Sequence, residues 1–93
     1  MTKLCREILR TSNRVEDIVS DIELDAVWGN ANFGGIDRRE VVRVGVLKCL
    51  TGYHQGYTSK TICTELGLIS HKYRVTAKGR AYLYLAFKGS SNL

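Results

Sequence analysis

No apolar run in this 93-residue chain approaches the roughly 20 residues that a membrane-spanning helix needs. The opening MTKLCREILRTSNR also lacks the apolar centre of a secretion signal. A cytoplasmic protein with no membrane partner is expected. Cysteine is scarce and unpaired. Cys5, Cys49 and Cys63 sit singly among aliphatic neighbours, so each reads as a small buried hydrophobe and no disulfide framework is expected. The two histidines, His54 and His71, add no metal-ligand spacing: there is no Cys-x-x-Cys pair, and Cys49 with His54 has no matching second pair. His71 reads as a solvated turn residue. The glycines form no phosphate loop, because GYHQGYTSK lacks the four-residue gap and the following Gly-Lys. Neither histidine has a neighbouring nucleophile and carboxylate that would imply a triad. No metal, no cofactor and no enzymatic activity are expected.

What is present is an ordinary globular composition. Apolar residues make up 44% and charged residues 25%, enough to exclude a disordered tail and to support one domain over residues 1–93. The net charge of +5 is unevenly placed. Residues 1–36 set Lys3, Arg6, Arg10 and Arg14 against Glu7, Glu16, Asp17, Asp21, Glu23 and Asp25. Residues 37–93 carry ten basic residues against only Asp37, Glu40 and Glu65. That asymmetry suggests a C-terminal portion facing a polyanion and an N-terminal portion facing something else.

Apolar spacing predicts a short helix over 3–10, from Leu4, Cys5, Ile8 and Leu9. Asn13 with Glu16 fits a capping box for a second helix, whose stripe is Val15, Ile18, Val19, Ile22 and Ala26. Trp28 and Phe33 flank the loop GNANFGG and are expected to close the core. Asp37 starts the clearest helix, with Ile36 stapled on Val41, running to about Gln55 and stopped by Gly56. Thr58 or Ser59 then caps a shorter helix with Ile62, Cys63 and Leu66 inward, Lys60, Thr61 and Thr64 outward, and Gly67 as its stop. Leu68-Ile69-Ser70 and Tyr73-Arg74-Val75 read as two brief strands around a His71-Lys72 turn. Thr76 caps a last helix from Ala77 to about Lys88, ended by Gly89, and GSSNL looks loose. The expected fold is mainly α with a small β-hairpin: a winged helix-turn-helix core over 37–89, preceded by one or two N-terminal helices in a 1–36 extension.

The run ELGLIS through YRVTAKGRAYL resembles the GLI…LT-x-KGR segment that ends many bacterial and phage winged helix-turn-helix domains, a resemblance spanning residues 38–88. It implies a small DNA-binding protein, a transcription regulator of phage or bacterial mobile-element origin, with helix 58–66 in the major groove. Residue chemistry agrees with that role. Ser59, Lys60, Thr61 and Thr64 offer a cation and hydroxyls to base edges and phosphates, and Lys72, Arg74, Lys78 and Arg80 offer a grip on flanking phosphates. Reading units of this kind pair over two half-sites, so a homodimer is expected, with the N-terminal helices or residues 82–87 as its contact. The alternative is a winged-helix interaction module that binds a host protein through the acidic N-terminal helix and touches no DNA.

Overall fold

The computed structural model describes residues 2–53 and 55–90, and among them six helices form around one apolar core. The first, α1 (Lys3–Arg10), is capped by Thr2, whose hydroxyl accepts from the Cys5 amide at 3.2 Å, and it buries Cys5. The predicted second helix is two helices. Helix α2 (Val15–Ile18) stops at Val19, whose backbone is extended, and α3 (Asp21–Trp28) restarts from Ser20. Ser20 Oγ accepts from the Glu23 amide at 3.1 Å while the Glu23 carboxylate accepts from the Ser20 amide at 3.2 Å, a reciprocal cap stronger than the stripe that argued for continuity. Restarting the helix rotates its faces: Leu24 and Trp28 go inward, and Ile22 is left 83% exposed.

Helix α4 (Arg38–Thr51) starts from Asp37 as expected, the Asp37 carboxylate accepting from the Glu40 amide at 3.3 Å. It ends four residues before Gln55. Gly52, at φ +84°, takes the left-handed position and the Tyr53 amide closes on the Lys48 carbonyl at 2.8 Å. Helix α5 (Tyr57–Glu65) begins at Gly56, whose φ of −65° is ordinary, rather than at Thr58 or Ser59. Gly67, at φ +76°, follows its C-cap Leu66. Helix α6 (Ala77–Ser90) runs past the expected stop at Gly89. Residues 91–93, the end of the segment read as loose, lie outside the described residues.

The expected β-hairpin is absent, and with it the wing. Among the described residues there are no strands, only isolated bridges at Ile69–Val75 and Phe33–Gly35. The physical reason lies in burial. Leu68 and Ile69 are both fully inside the core, whereas a strand edge alternates inward and outward. Tyr73, at φ +61°, then turns the chain before a second ladder pair can form. The segment is a tight loop: the Ser70 amide donates to the Arg74 carbonyl at 2.8 Å, and Ser70 Oγ accepts from the amides of Lys72 and Arg74.

Helix α6 supplies Ala81, Tyr82, Leu83 and Leu85 to the core, against α1, α2 and α4. Its start is pinned by Thr76, whose hydroxyl donates to the carbonyls of Gly67 and Leu68 and accepts from the Gly79 amide at 3.0 Å. Trp28 is buried in the core and Phe33 packs against it, as expected, with their ring centroids 5.5 Å apart. No helix among the described residues is long and apolar enough to cross a membrane.

Candidate nucleic-acid interface

Helix α5 is positioned by its junction with α4, and the junction is built on a glycine. A Cβ placed on Gly45 would lie 2.9 Å from Cys63 Sγ, 2.9 Å from Ser59 Oγ and 2.7 Å from Gln55 Oε1, so any larger residue here would have to push these side chains aside. Gln55 clasps the contact: its Nε2 donates to the Gly45 carbonyl at 3.0 Å and its Oε1 accepts from Ser59 at 2.7 Å. Gln55 is thus a strap across the turn. Gly52 and Gly56, which flank the turn, have nothing near the positions their side chains would fill.

With Ile62, Cys63 and Leu66 buried, the opposite face of α5 is presented outward. Lys60, Thr61 and Thr64 come together there with Tyr57 and Glu65, and His71 from the following loop closes a shallow groove of about 290 Å³ along them. The Lys60 ammonium rests 3.9 Å above the Tyr73 ring. The left-handed backbone of Tyr73 thereby places an aromatic platform under the cation. Thr61 Oγ1 donates to the Tyr57 carbonyl at 2.9 Å, and Thr64 Oγ1 to the Lys60 carbonyl at 2.7 Å. Lys72 and Arg74 are exposed on the adjoining loop.

The remaining candidates are elsewhere. Ser59 turns into the α4–α5 junction. Lys78 is half-buried, its stem beside Gly67, and its charge helps hold the Glu23 carboxyl low, behind the larger effect of the Ser20 amide. Arg80 lines a separate groove with Leu50, Tyr84 and Phe87. The sequence gives no site role to Tyr57, Tyr73, Gly45 or Gln55, which the structure brings to this face or to its junction. For Gly45 a signal existed: a glycine inside the helical run RREVVRVGVL costs about 1 kcal/mol against alanine and so needs a packing reason.

The thiols offer little chemistry. Cys5 and Cys63 are buried, and burial pushes the Cys63 thiol up to about 12. Cys49 is partly covered, and burial raises it too. Among the described residues no three His, Cys, Asp or Glu side chains gather as metal ligands, and His54 lies outside the described residues. No family model, curated protein or solved structure matches the chain.

Proposed function

We propose that the chain is a small double-stranded-DNA-binding protein, a transcription regulator of phage or bacterial mobile-element type acting in the cytoplasm, that lays α5 into the major groove. The observation that carries this reading is the outward face of α5. Lys60, Thr61 and Thr64 line one groove on a helix otherwise anchored by Ile62, Cys63 and Leu66, and the exposed Lys72 and Arg74 flank it. A second support is the start of α5, where Gly56 makes no side-chain cap bond, because an uncapped helix start suits a phosphate. Two copies on half-sites about one helical turn apart would double the contact.

The rival reading, a host-protein partner on the acidic helix, is favoured by the exposed Ile22 on α3. Against it, Asp21 and Asp25 of the same helix pair with Arg39 at 2.8 Å and Arg38 at 3.0 Å within the chain. Fluorescence anisotropy with a mixed-sequence duplex at two salt concentrations separates the readings. DNA binding predicts measurable affinity that falls steeply with salt, near-complete loss in Lys60→Glu, and a shallower salt slope, by roughly one ion, in Arg74→Ala. A folded Lys60→Glu protein that binds as tightly as the parent would remove α5 as the reading helix and leave the protein-partner reading in its place.

A further inference from the structure

The hydroxyl hydrogens of Thr61 and Thr64 on the α5 face are already committed, and that limits which bases these two positions can recognise. A threonine hydroxyl has one hydrogen and two lone pairs. Thr61 directs its hydrogen to the Tyr57 carbonyl at 2.9 Å and Thr64 directs its own to the Lys60 carbonyl at 2.7 Å. Toward the groove each can therefore only accept, and each adds a γ-methyl. Glu65, exposed at the end of the same helix and lining the same groove, is a carboxylate and also only accepts. The cation on this face is Lys60, held one turn earlier over the Tyr73 ring, while the Tyr57 hydroxyl and His71 can donate from the margins of the groove. The face is thus divided along its length, a cation first and acceptors with methyls after.

Resting on the DNA-binding reading, the geometry points to α5 as a reader of amino-bearing base edges: cytosine N4 at Glu65, and adenine N6 or the thymine methyl at Thr61 and Thr64. Guanine offers only acceptors, N7 and O6, to the major groove. Opposite Thr64 and Glu65 it would set acceptor against acceptor, with the carboxylate left desolvated and unpaired. Guanine fits this helix only where a donor such as Lys60 can reach it, away from Thr64 and Glu65. Glu65, an apparent misfit in a phosphate-binding face, becomes the discriminating residue: it is repelled by backbone phosphate and satisfied only inside the groove, over a cytosine.

The test is selection of bound sequences from a random duplex pool, run with the parent, Glu65→Gln and Thr64→Val. The parent should enrich sites with cytosine at one position next to an A·T pair, and a guanine placed at that cytosine should weaken binding on the order of tenfold or more. Glu65→Gln, which can donate and accept, should keep affinity and move the preference from cytosine to adenine. Thr64→Val preserves shape and methyl but lacks the acceptor, and should lose preference at the neighbouring position alone. Glu65 is exposed and terminal in α5, so a matching thermal melt for its variant confirms that the fold is intact. Sites enriched in guanine at these positions, or a Glu65→Gln preference identical to the parent's, would overturn the inference while leaving DNA binding in place. A parent that captures no duplex even at low salt would sink the DNA reading itself, and the inference with it.

Discussion

Two glycines allow close approaches in the fold, and they differ in what surrounds them. A Cβ on Gly79 would fall 2.0 Å from the Leu68 carbonyl oxygen and 2.9 Å from Val75 Cγ1. The first of these is backbone, itself held by the Thr76 hydroxyl and amide, and it cannot step aside. Around Gly45 the nearest atoms are the tips of Gln55, Ser59 and Cys63, two of which can swing away. Gly79→Ala should therefore cost on the order of 3 kcal/mol or more, and Gly45→Ala about 1–2 kcal/mol. Urea unfolding midpoints of the two variants check the order, and a Gly45→Ala protein less stable than Gly79→Ala would contradict it. The KGR run drew attention in the sequence for its charges. Its glycine is what lets α6 lie against the loop at Leu68.

At the scale of elements, the sequence announces those helices whose caps and stripes agree. Thr2, Asp37 and Thr76 are local signals, and α1, α4 and α6 begin where they stand. The break at Val19 was hidden because Ile22 and Ala26 continue the stripe of Val15 and Ile18, while the capping pair Ser20 and Glu23 competes with it inside the same window. The missing strands have the opposite cause: runs of three residues are too short for a period-2 pattern to be told from two consecutive core residues. No local signal marks Arg39, whose role is wholly tertiary. Its guanidinium, 19% exposed, donates to the Val19 carbonyl at 2.8 Å, to Asp21 at 2.8 Å and to the Tyr82 hydroxyl at 3.3 Å, joining α4 to the α2–α3 break and to α6. Arg39→Met keeps the stem and removes all three bonds, so it should cost about 2–3 kcal/mol. Arg38→Met removes an exposed pair with Asp25 and a contact 5.2 Å from the Trp28 ring, and should cost about 1 kcal/mol or less. Equal losses in thermal melts would show that Arg39 does not tie these elements together.

For the whole molecule, the uneven charge seen in the sequence is partly internal glue, because Asp21 and Asp25 of the acidic N-terminal portion pair with Arg39 and Arg38 at the start of α4. Other acids stabilise helix starts, and these make the fold sensitive to acid. The amides of Asn13 and Arg14 hold the Asp17 carboxyl below its ordinary value, the Ser20 amide does the same for Glu23, and the Arg43 guanidinium for Glu40. A carboxyl with a lower pKa folded than unfolded binds fewer protons in the native state. Its contribution is complete above the ordinary carboxyl range, near 4, and is lost as pH falls through the depressed native value. Thermal midpoints should accordingly be flat from pH 7 to about 5 and drop progressively below about 4.5. The doubly substituted Asp17→Asn, Glu23→Gln protein tests the assignment. Each amide oxygen can still accept from the helix-start N–H groups, so stability at pH 7 should change little, but neither residue titrates. Between about pH 4.5 and 3 the double variant should lose stability less steeply than the parent. An acid slope identical to the parent's would place the sensitivity in other carboxylates.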